Sequence, residues 1–262
     1  RLLQNRRGLG RNYRNLAEVE RLLGRFDVSA DCLQRSIDVR HAIGDRAGEA
    51  RSCLDLVEIH AMMGDWKEAQ ITNERALEIA REIDDAMLIL EGSIRTALNR
   101  LSMGENPADV DLGAVGISSD TDEQDSDLMV LWFTLCCRHA QLQGQALEAA
   151  RFEEATQLIG KLEGVAFSRH RCLLSASLAL VAPDRETALT LLEPILEETD
   201  LPPGVPLDMV ISARASLEPE GSKEREIWEE RAVLAVEERA GRIQRAADRR
   251  RFLRARLGRI EE

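Results

Sequence analysis

The segment from residue 16 to residue 85 contains one sequence pattern twice, at a spacing of about 40 residues. Gly24 recurs as Gly64, and other pairs keep the same register: Leu16 with Leu56, Phe26 with Trp66, Arg35 with Arg75, Val39 with Ile79, Ile43 with Ile83, and Asp45 with Asp85. A fixed period of about 20 to 50 residues is the signature of stacked structural repeats. We therefore expect a repeat array, in which each unit packs mainly against its neighbours.

Each unit is predicted to be a helix, a tight turn and a second helix. Apolar residues recur with helical spacing over 47–63 and resume from Trp66 to Ala80, with Gly64 and Asp65 between the two stretches. Gly64 is expected to be left-handed or too crowded for a side chain. The small Ala69 would let the two helices of the hairpin approach closely.

The run Gly64–Ala69 (GDWKEA), followed by Ala76, resembles the turn of the tetratricopeptide repeat family in its longer variant of about 40 residues per unit. Weaker copies of the turn follow the same spacing: Gly24–Ser29 with Ser36, Gly104, Gly144–Ala149, Ala182–Ala188 and Pro219–Gly221. The family's large aromatic residue is replaced by Glu20 and His60, and its unit-ending proline is absent. The resemblance implies an all-α, right-handed solenoid of about five to six antiparallel helix hairpins.

Four segments are expected along the chain: well-matched repeats over 1–104, an acidic irregular loop over 105–127, degenerate hairpins over 128–200, and a terminal hairpin over 201–262 with a long basic capping helix. The predicted later helices span about 128–143, 146–162, 167–181, 184–198, 207–217 and 222 to the end.

The acidic loop contains a proline, two glycines, eight acidic residues and no basic residue, so it is expected to replace a helix. Four of its residues, Asp120, Asp122, Asp125 and Asp127, suggest a calcium loop as an alternative to a solvated one. The glycine and the terminal glutamate of an EF-hand loop are missing, which favours the solvated loop.

Composition places the chain among folded proteins, because 44% of its residues are hydrophobic and 31% are charged. No uninterrupted apolar run is long enough to span a bilayer, so a cytoplasmic location is expected. Arg1 enters in the middle of the pattern, and we therefore expect the chain to be part of a longer protein.

The cysteines and histidines do not have the spacing of a metal site, so no metal or cofactor is expected. The five cysteines lie in apolar helical patterns and are interpreted as buried reduced thiols. The alternative is that Cys136 or Cys137 is a nucleophile with His139 or His170, but no oxyanion-forming loop is visible nearby. No catalytic residue is therefore predicted.

Both ends of the chain are basic and the body is acidic. Residues 1–25 carry a net charge of +5 and residues 237–262 carry +4, while the whole chain carries −12, so residues 26–236 carry −21. Arginine suits the bidentate recognition of carboxylates and phosphates.

The family resemblance implies that the first helix of each unit lines a concave groove for a peptide or a helix. It places these residues in the groove: Arg11, Arg14, Glu18, Arg21, Arg51, Leu54, Glu58, Met62, Glu91, Ile94, Leu98 and Leu101. Such a groove would suit an acidic, partly apolar protein segment. Alternatively, its arginines only solvate an exposed end and pair with neighbouring glutamates. The family's clamp for a terminal carboxylate needs asparagines, and Glu18 and Asp55 disfavour it.

The last predicted helix has an apolar face flanked by arginines. The apolar face comprises Ala232, Val236, Ala240, Ile243, Ala247, Leu253, Leu257 and Ile260, and the candidate basic surface comprises Arg245, Arg249, Arg250 and Arg254. This helix could cap the stack, or continue past it as a basic amphipathic helix.

The function predicted from these observations is a non-enzymatic protein interaction module. The resemblance suggests a scaffold or a regulatory arm of a larger bacterial signalling protein. The alternative is an arm that binds nucleic acid through its basic ends, and the acidic body and the lack of aromatic residues among the arginines disfavour it.

Overall fold

The computed structural model describes residues 2–115, 126–162, 164 and 167–258. Within these residues the fold is all-α, without a β-strand, as predicted. The helices are α1 Leu2–Leu22, α2 Phe26–Ala42, α3 Arg46–Met62, α4 Trp66–Glu82, α5 Ala86–Ser102, α6 Leu112–Val115, α7 Ser126–Gln143, α8 Ala149–Lys161, α9 Ser168–Ala179, α10 Arg185–Leu196, α11 Leu207–Ser216, α12 Lys223–Gly241 and α13 Ala246–Leu257. None of the described helices combines the length and the hydropathy that a membrane-spanning helix needs.

The helices α2 to α5 have the same length of 17 residues and start at equal intervals along the chain. Each connection has one residue with a positive φ angle, at Gly24 (75°), Gly44 (70°), Gly64 (76°) and Asp84 (54°). Paired backbone bonds close each helix end, as in Asp65 N to His60 O (2.8 Å) and Gly64 N to Ala61 O (3.1 Å). This is the Schellman motif, whose left-handed residue favours glycine. The predicted left-handed turn at Gly64 is therefore confirmed, and the same turn also separates successive hairpins.

Aspartates fix the starts of three of these helices. The side chains of Asp45, Asp65 and Asp85 accept hydrogen bonds from the backbone N–H groups of Gly48, Glu68 and Leu88. Such N-caps contribute about 1 kcal/mol each. The glycine-aspartate dipeptides at 44–45 and 64–65 thus stop one helix and start the next.

The first compact unit comprises residues 1–104 and 239–262. We call α1, α3 and α5 the first helices and α2 and α4 the second helices. The pairs α1–α2 and α3–α4 form hairpins, and α2 packs on α3 as α4 packs on α5. Small residues allow this close packing, because Ala50, Ala69, Ala76 and Ala80 are fully buried. The Ser36 hydroxyl lies between neighbouring first helices, donating to Gly10 O (2.8 Å) and lying 3.0 Å from Ser52 Oγ.

The C-terminal segment packs on the turn ends of the first two hairpins. Phe252 of α13 is fully buried, with its ring centroid 5.9 Å from that of Phe26, and the Arg239 guanidinium lies over both rings. Arg245 N donates to Asp27 Oδ2 (2.6 Å), and Arg251 pairs with Asp65. The segment is thus held by one aromatic contact and several arginine–aspartate contacts.

The prediction of one continuous helix from about residue 222 is therefore wrong. The chain leaves the helical conformation after Gly241, and a separate helix, α13, begins at Ala246. Ala232, Val236, Ala240 and Ile243 are buried as the apolar pattern predicted, whereas Ala247 is exposed and Ile260 lies outside the described residues. Phe252 was not part of the predicted apolar face. Because the helix breaks, it is Phe252 that is buried and holds α13 on the repeats.

We expect the first unit to lose stability in mild acid because of His60. Its Nδ1 is buried without a hydrogen-bond partner, and burial lowers its pKa below the ordinary 6.5, as does Arg251, against the opposite effects of Asp65, Glu68 and Asp248. The folded state therefore binds fewer protons than the unfolded chain below pH 6.5. The contribution of neutral His60 to the free energy of unfolding is fully present above pH 6.5. Below that pH it falls, by at most about 1.4 kcal/mol per pH unit.

The measurement is the free energy of unfolding from hydrogen exchange of residues 26–82, at pH 7.5 and 5.5, in the native chain and in His60→Gln. The difference between the two pH values should shrink in the variant. An unchanged difference would mean that other groups cause the acid sensitivity.

The second compact unit comprises residues 105–238. The helices α7 and α8 pack together, as do α9 and α10, and α9 also packs between α7 and α11. An apolar cluster fills the space between α9, α10 and α11, with these buried residues: Cys172, Ala176, Ala179, Ala188, Leu192, Ile195, Val205, Val210 and Ala213.

The predicted acidic loop has regular structure in its first part. A 3₁₀ turn spans Pro107–Asp109, α6 follows, and Val110 is buried. His139 Nε2 lies 2.9 Å from Pro107 O, which connects the turn to α7. Of the four aspartates in the calcium alternative, Asp127 lies in α7 and the other three fall outside the described residues. No full-length helix is found between Gly104 and residue 115.

Candidate functional site

The first helices display charged side chains that meet across helix boundaries. Arg14 of α1 binds Asp55 of α3 with two hydrogen bonds, one from Nε to Oδ2 and one from Nη2 to Oδ1 (3.2 Å). Both side chains are partly open to solvent, at 40% and 28% exposure. Because the two residues are on successive first helices, this bidentate pair joins neighbouring repeats.

The centre of this surface is Glu58 of α3, which lies between two arginines. Its carboxylate is 3.9 Å from Arg21 Nε of α1 and 3.6 Å from Arg95 Nη2 of α5. Arg21 also binds Glu18 with two hydrogen bonds, and Arg95 Nη2 binds Glu91 at 2.9 Å. The ion pairs therefore run across all three first helices.

Arg51 completes the arrangement, with Nη1 3.5 Å from Glu91 Oε2. We call these eight side chains the charged layer: Arg14, Arg21, Arg51, Arg95, Glu18, Asp55, Glu58 and Glu91. Its four arginines balance its four acids. Arg14 and Arg51 are its more exposed cations, whereas Arg21 and Arg95 are nearly buried.

Burial and pairing act against each other on the groups of the charged layer. Burial lowers the pKa of Arg21 and of Arg95, but the neighbouring carboxylates outweigh it and the net shift is upward. For Asp55, burial raises the pKa more than Arg14 lowers it. The guanidinium groups therefore stay charged, and Asp55 is the acid whose charge is disfavoured.

The structure brings together most of the predicted charged groove residues. Arg14, Glu18, Arg21, Arg51 and Glu58 all lie in the charged layer. Their pairing agrees with the alternative that the arginines pair with neighbouring acids. Arg11 is exposed on α1, towards the start of the chain.

The predicted apolar lining of the groove is largely wrong. Leu54, Met62, Ile94 and Leu101 are buried in the core, and Leu98 alone is half-buried. Since α3 packs against α2, α4 and α5, its leucine and methionine side chains have apolar surroundings to enter, and burial is favourable. The face that the first helices share is therefore mainly charged.

The sequence analysis placed Asp55 in the groove only as a residue that disfavours the carboxylate clamp, and it did not assign Arg95 to the groove at all. A signal was present, because Asp55 and Arg95 occupy equivalent positions in successive repeats and carry opposite charges. Equivalent positions on stacked helices are neighbours. A comparison of charge signs between repeats would have predicted contacts of this kind.

The predicted basic surface near the C-terminus lies on α13 and on the residue that precedes it. Arg245 binds Asp27 and Asp31, and Arg249 donates to Ile243 O (3.1 and 2.7 Å). Arg250 and Arg254 are exposed. Two of the four predicted arginines thus hold the fold together, which leaves a smaller basic surface than expected.

All five cysteines are buried and none forms a disulfide, as predicted. Burial raises the pKa of Cys53 and of Cys136 to about 11, and it raises the pKa of Cys137 further. A reactive cysteine needs a lowered pKa and access to solvent. The described residues contain no group of histidine, cysteine and acidic side chains that could hold a metal ion.

We expect a thiol reagent such as dithionitrobenzoate to label the folded chain at least about a hundredfold more slowly than the unfolded chain at pH 7.5, because thiolate and access are both lacking. Absorbance at 412 nm follows the reaction, with the chain in guanidinium chloride as the control. Rapid labelling of one thiol in the folded chain would contradict the assignment of all five as buried.

Residues 9–82 match the family model described as tetratricopeptide repeat. The match begins in α1 and ends with α4, so it covers the first two hairpins and most of the charged layer. No curated protein and no solved structure matches the chain.

Proposed function

We propose, from the match of residues 9–82 to the tetratricopeptide repeat model, that this chain is a non-enzymatic protein interaction module. Its binding surface is the face that α1, α3 and α5 share. The observation that supports this proposal is the charged layer, because three successive first helices contribute to it and solvent reaches two of its arginines, Arg14 and Arg51.

The partner is a peptide or a helix with acidic side chains and some apolar ones. Its carboxylates bind Arg11, Arg14 and Arg51. A partner carboxylate replaces Asp55 as the acceptor at Arg14 and replaces Glu91 as the acceptor at Arg51. Leu98 offers the apolar contact. Because the charged layer is neutral, binding depends on an exchange of ion-pair partners and favours specificity over long-range attraction.

The test is capture of partners from a lysate of the source organism by the native chain and by an Arg11→Glu, Arg51→Glu variant. These two positions are chosen because Arg21 is nearly buried, so that its charge reversal would damage the fold. Lys67→Glu with Arg81→Glu is the matched control, since it makes the same charge change at exposed positions of α4.

A partner that the native chain and the control capture, and that the arginine variant loses by tenfold or more, supports the proposal. Chemical cross-links from the partner should then fall on α1, α3 and α5. A partner captured equally by all three chains binds elsewhere and contradicts it.

The binding of nucleic acid through the basic ends is the second outcome that this experiment can give. Binding to phosphates weakens steeply with added salt. If the captured material is removed by nuclease and is lost at raised salt, the partner is nucleic acid and not a protein.

We also propose that this module is a regulatory or scaffolding arm of a larger cytoplasmic signalling protein. The partner captured in the same experiment, identified by mass spectrometry, tests that context. Partners without any signalling protein among them would contradict it.

A further inference from the structure

The two sides of α1 differ in how they are covered. Towards α2, α1 has fully buried residues such as Ala17 and a hydrogen bond from Ser29 Oγ to Ala17 O (2.7 Å). On another side, α1 exposes the large apolar residues Leu9, Leu16 and Val19, and Leu23 directly after the helix is exposed as well. The spacing of these residues puts them on one stripe of the helix.

The repeat shows which side of a first helix this stripe occupies. In α3, Glu49 and Ser52 face α2, since Glu49 lies 3.2 Å from His41 Nδ1 and Ser52 Oγ lies 3.0 Å from Ser36 Oγ. One repeat earlier, the equivalents of Glu49 and Ser52 are Leu9 and Asn12. The stripe on α1 therefore corresponds to the side of α3 that the preceding second helix covers.

The interface between α4 and α5 gives the same register independently. Asn73 of α4 donates to Gly92 O and to Thr96 Oγ1 of α5, both at 2.8 Å. The equivalents of Gly92 and Thr96 in α1 are Asn12 and Leu16. Two interfaces thus identify one side of α1 as the side where a second helix would pack.

Exposure separates α1 from its equivalent in the next repeat. Leu56, Ile59 and Met63, which follow the same register, are 5%, 1% and 3% exposed. Their equivalents Leu16, Val19 and Leu23 are 44%, 50% and 37% exposed, and Leu9 is 42% exposed. Exposed apolar residues are common singly, but a continuous stripe of them marks an interaction surface.

We propose that this stripe binds one amphipathic helix, which runs antiparallel to α1 and takes the place that α2 takes on α3. We call Leu9, Asn12, Leu16, Val19 and Leu23 the open stripe. The occupant continues the alternation of second and first helices. The proposal concerns a different side of α1 from the charged layer and does not depend on it.

The side chains of the open stripe define the chemistry of the occupant. Leu9 stands at the position of Ile89 in α5 and of Glu49 in α3, so α1 has no carboxylate for a basic group such as His41. The occupant is therefore more like α4 than α2. It presents a polar amide and a leucine, as α4 does with Asn73 and Leu77, which both lie against Gly92 of α5.

The test adds such a helix at the position that the repeat defines. Residues 66–85, which form α4 and its connection, are fused in front of Arg6 in place of residues 1–5. Ala86 is equivalent to Arg6, so the fused helix meets α1 through the connection that joins α4 to α5. Hydrogen exchange of the amides of residues 9–23 is compared between the fusion and the native chain.

We expect exchange in residues 9–23 to be about tenfold slower or more in the fusion, because the added helix covers α1 and suppresses its local opening. Leu16→Lys with Val19→Lys in the fusion should abolish the slowing. Ile71→Lys in the original α4 is the control, since Ile71 is an exposed apolar residue outside the stripe, and it should leave the slowing intact.

Unchanged exchange in α1, or a fused segment that stays unfolded on an intact chain, would overturn the proposal. Sedimentation velocity of the native chain tests a second copy as the occupant. If the native chain is a dimer and Leu16→Lys with Val19→Lys makes it a monomer, a second copy occupies the open stripe. That result would overturn the assignment to a helix of the α4 kind.

Discussion

Replacing Phe252 with alanine is expected to lower the free energy of unfolding of the first compact unit by about 3–5 kcal/mol, the usual loss for a buried phenylalanine. The ring is fully buried against Phe26, and the Arg239 guanidinium covers both rings at 5.3–5.4 Å. Without the ring, α13 keeps mainly the contacts of its arginines, which are partly exposed and therefore weak. Release of α13 should also expose Phe26.

Hydrogen exchange of residues 26–82 in increasing denaturant measures this loss, since these residues report on the first unit alone. Arg250→Ala is the matched control on the same helix, because Arg250 is exposed and its truncation should change stability by less than about 0.5 kcal/mol. Equal effects of the two substitutions would show that α13 does not stabilise the repeats.

The second large effect is expected at Gly64, where two constraints coincide. Its φ angle is +76°, and a Cβ atom at this position would come within 2.1 Å of the Ala255 Cβ of α13. Gly44 has nearly the same φ, +70°, but a Cβ there would meet nothing within 4 Å. Gly44 is therefore a natural control that separates backbone strain from crowding.

We expect Gly44→Ala to destabilise the first unit by about 1–2 kcal/mol through the left-handed conformation alone. Gly64→Ala should lose that amount and about 1–3 kcal/mol more, because the methyl group overlaps α13. Adding Ala255→Gly to Gly64→Ala should remove most of the extra loss. If the double variant is no more stable than Gly64→Ala, or if the two single glycine variants are equal, α13 does not constrain this turn.

The repeat and its turns could be predicted from the sequence because they depend on local chemistry. Gly24 and Gly64 end helices, and the apolar spacing over 47–63 forms one. A shorter period, in which every single helix and its connection repeat, is harder to detect in the sequence than the period of one hairpin. The reason is that Asp84 occupies a left-handed position where the other three turns have glycine. Aspartate tolerates that conformation better than most residues, so the turn survives while the pattern weakens.

The charged positions of the candidate site were predictable, but their partners were not. Arg14 and Arg51 were placed on the shared face by their positions in the repeat. Whether they were available or paired depended on Asp55 and Glu91, which belong to neighbouring helices. Side chains that are far apart in sequence become partners only when the hairpins stack.

The sequence by itself determined that this chain is a repeat of helix hairpins, and it determined where the hairpins turn, because glycine conformations and apolar spacing act over a few residues. The tertiary structure alone decided that the last helix breaks and returns to the first repeats. Phe252 and Phe26 lie near opposite ends of the chain, so no local pattern links them. Their contact exists because burying two aromatic rings is favourable wherever the fold brings them together.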